Sequence, residues 1–259
     1  MATKISHTER GSGCALVLLH GFPLDASIWE NQLTGLADAA RVIAADLPGF
    51  GKTKSDEPFT MKSLAEDVHE FLEQIKAIPC VLGGLSMGGY VALEYAKKYP
   101  NDLRGLALID TRAEGDTPQG KEGRDKMIEL AKTKGSNAVA EQMLPKMLAE
   151  DTQKNRPAIV QRVTAIMQAC PPLTIQHALA AMRDRADHTD DIPSIPVPTA
   201  IIVGDSDAIT PPAIAEAMHK KIPRSSLHIV KGAGHLSPIE QPEQVNQALR
   251  GLMTHCDTK

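Results

Sequence analysis

Short unbroken apolar runs alternate with stretches of helical periodicity along most of the chain. Residues 15–19 (ALVLL), 41–45, 80–84 (CVLGG), 103–109 (LRGLALI), 199–203 (TAIIV) and 227–230 read as strands. Their near-continuous apolar character is that of parallel strands covered on both faces, not of a sheet with one wet side. Between them, residues 28–37, 87–99, 212–221 and 240–253 carry helical spacing. A strongly amphipathic helix runs to Ile75, with Leu64, Val68, Phe71 and Leu72 on one face and Thr60 or Ser63 as its cap. This alternation predicts an α/β fold: a mostly parallel sheet with helices on both faces. The lead-in before Ala15 has room for one strand or a small hairpin, so the first edge of the sheet is reduced.

From Arg112 to Ile195 the pattern changes. Strand-like runs vanish, and helical periodicity is interrupted by Pro145, Pro157, Pro171, Pro172 and several glycines. A mostly helical insertion therefore breaks the β/α repeat. Residues 1–111 and 196–259 are expected to form the core, and residues 112–195 a helical cap inserted after the sixth strand.

One junction carries chemistry. The strand at 80–84 runs into Gly84-Leu85-Ser86-Met87-Gly88 and then into a helix with Val91, Leu93, Tyr95 and Ala96 at helical spacing. Strand, sharp turn and helix are the setting in which G-x-S-x-G forms a nucleophile elbow, projecting the serine from the top of a sheet. Glycines at 84 and 88 fit because a Cβ there would collide with the adjoining strand and helix.

A serine hydroxyl is a poor nucleophile until a base takes its proton, and that base needs a carboxylate to orient it. Of nine histidines, His235 lies in a glycine-rich loop (Gly232-Ala233-Gly234-His235) directly after a strand. His20 also follows a strand, in a tight turn where an imidazole commonly holds the loop. His7, His69, His219 and His255 read as solvated surface residues, and His177, His188 and His228 as structural. For the acid, Asp207 follows the strand at 199–203 and gives the chain order Ser86, Asp207, His235. Asp110, at the end of the preceding strand, is its sharper rival, and Asp205 a nearer neighbour. The oxyanion of a tetrahedral intermediate needs preorganised N–H donors. Met87, opening a helix, offers one, and Phe22 in His20-Gly21-Phe22-Pro23 the other. Its side chain is then free to line the acyl pocket. The Phe22-Pro23 bond is a candidate cis peptide.

Composition narrows the partners. With 42% hydrophobic and 23% charged residues and a net charge of −4, the chain has material for a full core. It carries no basic stripe for nucleic acid and no polybasic membrane patch. No apolar run approaches the length of a spanning helix, and the first ten residues lack the apolar core of a signal peptide. A cytoplasmic protein, as a monomer or small homo-oligomer, is the expectation. Cys14, Cys80, Cys170 and Cys256 are scattered without metal-site spacing, so they read as free thiols, and neither metal nor organic cofactor is implied.

Together these segments resemble the α/β-hydrolase fold serine hydrolases, in particular the small carboxylesterase, enol-lactonase and cofactor-free haloperoxidase-like group. The matching motifs are HGFPLD (20–25), DLPGFG (46–51), GLSMGGY (84–90), GDSDAITP (204–211) and GAGHLSPIEQP (232–242). The resemblance implies Ser86, Asp207 and His235 as triad, the Phe22 and Met87 amides as oxyanion hole, and a structural role for 46–51. Haloalkane dehalogenases and epoxide hydrolases of this fold carry aspartate at the elbow, where this chain has Ser86, so both are set aside.

The insertion contains no aromatic residue but five of the ten methionines, Met127, Met143, Met147, Met167 and Met182. Methionine adapts to irregular apolar shapes. Met127, Met143 and Met147, with Phe22, are the candidates for an aliphatic pocket suited to short- or medium-chain esters. The charges of the insertion, Arg124 among them, are expected on solvated outer faces. The leading expectation is a carboxylic-ester hydrolase. Perhydrolase or haloperoxidase activity, or lactonase activity, would use the same triad, and a non-enzymatic ligand receptor on this fold is the alternative of another class.

Overall fold

The computed structural model describes residues 4–254. Seven strands form one sheet: β1 (His7–Arg10), β2 (Ala15–Leu19), β3 (Arg41–Ala45), β4 (Cys80–Leu85), β5 (Leu103–Ile109), β6 (Thr199–Gly204) and β7 (Ser225–Val230). Their order is β1-β3-β2-β4-β5-β6-β7. All pairs are parallel except β1 with β3, where His7 opposes Ala45.

Alternate side chains of β2 show why this sequence needs cover on both faces. Leu16 and Leu18 join one core cluster with Ile28, Trp29, Val245 and Leu249, while Val17 and Leu19 join the other with Leu64, Val68, Phe71 and Val91. Successive strand residues point to opposite faces, so a run of five apolar residues can satisfy both. The covering helices are α1 (Glu30–Gly35), α2 (Met61–Gln74) and α3 (Met87–Lys98) before the insertion, and α8 (Pro212–Lys221), α9 (Ser237–Glu240) and α10 (Pro242–Met253) after it. Both candidate caps of α2 are used. Thr60 Oγ1 accepts from the Ser63 N–H, and Ser63 Oγ accepts from the Thr60 N–H, a reciprocal capping box.

Between β5 and β6 the chain is helical: α4 (Pro118–Met147), α5 (Glu150–Asn155), α6 (Pro157–Ala169) and α7 (Pro172–Arg183). Pro157 and Pro172 open helices, where a missing N–H leaves nothing unsatisfied. Pro145 ends none, standing in the last turn of α4. The true break in α4 is Gly135, at φ 73° and ψ −171°. In chain order the helical insertion leaves after the fifth described strand, not the sixth, because the antiparallel edge is the single strand β1.

The thiol expectation is corrected in part. Cys80 and Cys170 are free and buried, and burial pushes both thiols up to about 12. Cys14 is disulfide-bonded; it stands half-buried just before β2, packed against one core cluster. Cys256 and His255 lie outside the described residues. Among the described residues no helix is long and apolar enough to cross a membrane.

Candidate active site

The carboxyl ends of β2, β4, β5, β6 and β7 all point to one edge of the sheet, where parallel α/β folds place their ligands. β4 ends at Leu85, α3 begins at Met87, and Ser86 between them sits at φ 51° and ψ −111°. A non-glycine residue with positive φ is strained and must be held by its surroundings. Here the Ser86 N–H donates to the Ile109 carbonyl at 2.9 Å, and Thr111 Oγ1 donates to the Ser86 carbonyl at 2.8 Å. The turn is tight enough that a Cβ on Gly84 would stand 2.2 Å from the Gly88 carbonyl oxygen, and one on Gly88 2.4 Å from that of Leu19.

His235 reaches this serine from the loop after β7. Its Nε2 is 2.8 Å from Ser86 Oγ and its Nδ1 is 2.8 Å from Asp207 Oδ2, with the imidazole only 2% exposed. A neutral ring with its proton on Nδ1 donates to Asp207 and accepts from the serine hydroxyl. Asp207 is itself held by the Ile209 and Thr210 N–H groups on Oδ1 (2.8 and 2.9 Å) and by the Thr210 hydroxyl on Oδ2 (2.6 Å). Burial pushes its carboxyl up, but the hydrogen bond and charge of His235, with the Thr210 bonds, outweigh that and lower it to about 2. Thr210 was not anticipated from the sequence, although it lies inside the GDSDAITP segment.

The rival acids sit elsewhere. Asp110 is fully buried at φ 44° and accepts from the Gly204 N–H (2.9 Å), the Ser237 N–H (3.1 Å) and the Ser237 hydroxyl (2.6 Å). Burial, then the charge of Asp207, raises its carboxyl well above the usual range against the pull of those bonds. Asp205 accepts from the Ser206 hydroxyl and the Gly232 N–H, near solvent. Neither hydrogen-bonds to His235.

His20 holds the turn over Ser86. Its Nε2 accepts from the Leu47 N–H at 3.1 Å, which puts the proton on Nδ1, where it donates to the Gly21 carbonyl at 2.9 Å. Burial lowers this imidazole below its usual range. The turn passes so close that a Cβ on Gly21 would lie 3.2 Å from Ser86 Cβ. The Phe22-Pro23 peptide is cis, and the Phe22 N–H finds no acceptor among the described residues. Met87 opens α3, where first-turn amides lack intrahelical acceptors.

Phe22 also lines a cavity of about 230 Å³ with Met127, Met143, Leu179, Asp116 and Arg124. Two expectations change here. Met147 is 1% exposed and packs with Leu148, Met167 and Leu236 in a core cluster, outside that lining. Arg124 is not on an outer face: its Nε donates to Asp116 at 3.0 Å beside the cavity, and the other Asp116 oxygen accepts from Arg185 at 2.8 Å. Larger cavities of about 350 and 510 Å³ contain neither Phe22 nor these cap residues, and Ser86, Asp207 and His235 line none of the three. No cluster of three or more potential metal ligands occurs among the described residues.

Residues 16–248 match the model of the alpha/beta hydrolase family. A thermophilic esterase from Thermogutta terrifontis, solved with malate bound, superposes at a TM-score of 0.95 with 40% identity, covering 98% of this chain and 94% of that one. The AB hydrolase superfamily protein YisY of Bacillus subtilis is 30% identical over 92% of this chain and 91% of its own. The 3-oxoadipate enol-lactonase 1 of Acinetobacter baylyi is 25% identical over 92% of this chain and 88% of its own. A match running from the second strand into the middle of the last helix, with an esterase of this likeness in structure, leaves one assignment: the chain belongs to the alpha/beta hydrolase family.

Proposed function

We propose that the protein is a carboxylic-ester hydrolase that works through an acyl-enzyme on Ser86. The observation that carries this reading is the continuous chain from Asp207 through His235 to Ser86, each link 2.8 Å. His235 Nε2 takes the hydroxyl proton as Ser86 Oγ attacks the ester carbonyl, then gives it to the departing alcohol. Water, deprotonated by the same nitrogen, releases the acid and restores Ser86. Asp207 stays ionised throughout and stabilises the imidazolium. The Phe22 and Met87 N–H groups receive the oxyanion, the latter helped by the dipole of α3.

Residues 112–195 act as the cap over this site, and residues 1–111 with 196–259 as the core. The acyl group is assigned to the cavity of about 230 Å³ walled by Phe22, Met127, Met143 and Leu179, which meets the site through Phe22; it is small for a ligand pocket and favours short acyl groups. Hydrolysis of p-nitrophenyl esters from acetate to dodecanoate tests this. Turnover should be highest on the shortest chains and fall by several orders of magnitude in Ser86→Ala. Equal turnover of dodecanoate, or activity surviving the substitution, would contradict it.

A second reading, hydrolysis of a lactone or ester that itself carries a carboxylate, is favoured by Arg124 in the cavity wall. Faster turnover of a succinate half-ester than of the neutral butyrate ester would select it.

A further inference from the structure

Glu240 is a buried carboxylate that touches none of the reacting groups. It is 1% exposed and makes no ion pair among the described residues. Its Oε1 accepts from the Gly234 N–H at 2.8 Å, and its Oε2 accepts from the Ala149 N–H at 2.9 Å. Gly234 immediately precedes His235. Ala149 is the N-cap of α5, in the helical insertion. A single side chain thus joins the histidine loop to the insertion across 91 residues of sequence.

The two backbones are in direct contact there. A Cβ on Gly234 would lie 2.6 Å from the Ala149 nitrogen and 2.7 Å from the Leu148 carbonyl carbon. Leu148 packs in one apolar cluster with Leu236 and Ile239, and Arg156, the N-cap of α6, donates to the Glu240 carbonyl. Both N–H groups are sealed from water, so without the carboxylate each would be left unsatisfied. Burying a polar side chain costs free energy that only its hydrogen bonds can offset, and here both bonds go to these two backbone amides. What lies between those bonds is the segment that sets the position of His235.

We infer that Glu240 is a positioning residue for the hydrolysis: it clamps the Gly234 amide against the insertion and thereby keeps the His235 imidazole within reach of Ser86 and Asp207 together. The inference rests on the reading of Ser86 and His235 given above. Asp110 grips the far side of the same segment through Ser237, so the loop carrying the histidine is held on both flanks by buried acidic side chains.

The test compares wild type, Glu240→Gln and Glu240→Ala. Three quantities are read well below each thermal midpoint: kcat and KM on p-nitrophenyl acetate, and the rate at which a fluorophosphonate labels Ser86. A misplacement of about 1 Å at a reacting group lowers turnover roughly 100-fold. Glu240→Ala should therefore lose about that factor in kcat with KM little changed, and labelling should slow in parallel. Glu240→Gln retains one acceptor oxygen and should recover part of the loss. A variant that melts earlier but keeps wild-type kcat and labelling rate would overturn the inference and leave Glu240 a purely structural residue. If the alanine variant does not fold, the glutamine variant decides on the same criteria. If the wild type turns over no ester, the proposed function fails, yet the labelling rates still judge the clamp.

Discussion

Ser237 Oγ donates to Asp110 Oδ2 at 2.6 Å, tying the end of β5 to the turn that follows His235. This bond explains why the carboxylate that rivals Asp207 in sequence does not compete with it in space. Asp110 has both oxygens engaged, by Gly204 on one side and Ser237 on the other, and burial holds its carboxyl toward the neutral form. Its part is to align β6 with the histidine loop.

The two aspartates should therefore respond differently to amidation. Asp207→Asn removes the charge facing the imidazolium and should lower kcat/KM by roughly 10³- to 10⁴-fold, the order seen when a triad acid is replaced. Asp110→Asn keeps the acceptor for Gly204 and stays within about tenfold of wild type. Ester kinetics on both variants check this, and the reverse ranking would exchange their roles.

Asp207 also predicts a pH dependence of stability. Its folded-state value is lowered from 3.8 to about 2, so its contribution is complete above the unfolded value. It is lost as pH falls from about 4 through about 2. Nearly two pH units correspond to roughly 2 kcal/mol. Urea midpoints of wild type and Asp207→Asn should converge as pH drops through that window. Asp110 acts in the opposite direction: its raised value contributes stability at low pH that is lost as pH rises through the folded value. The comparison with Asp207→Asn isolates the first group.

The elbow makes a steric prediction. Gly84→Ala forces a Cβ to within 2.2 Å of backbone at Gly88. Neither strand nor helix can yield there, so the variant should lose several kcal/mol or fail to fold, on the scale of severe core overpacking. Gly251→Ala, in α10 with nothing within 4 Å of the new Cβ, should instead gain about 0.5–1 kcal/mol. Thermal melting of the pair measures both.

Met127 and Met147 should separate selectivity from packing. Met127 lines the cavity beside Phe22, so Met127→Ala enlarges it and moves the chain-length optimum upward. Met147 lies in the core cluster, so Met147→Ala should cost about 2–5 kcal/mol with the optimum unmoved. The ester series together with thermal melting tells the two outcomes apart.

The residues that the sequence singled out and the fold brings together share a cause. Ser86, Asp207 and His235 follow apolar runs whose ends are marked by glycine, and strand ends in a parallel sheet converge on one edge. The insertion offered no such signal. Met143 and Met147 are one helical turn apart and chemically identical, yet one meets the cavity and the other the core. Arg124 resembles any surface charge until its helix is placed against Asp116 and Arg185. Glu240 reads as an acidic residue near a helix start, and only the close approach of Ala149 to Gly234 gives it a second role.

The most direct measurement is the site of covalent labelling by a fluorophosphonate, mapped by peptide mass spectrometry, in wild type and in His235→Ala. The geometry predicts a single adduct on Ser86 in the wild type, ester hydrolysis lost in proportion to its formation, and labelling slowed by orders of magnitude without the imidazole. An adduct on another residue, or hydrolysis that persists after Ser86 is fully modified, would contradict the account.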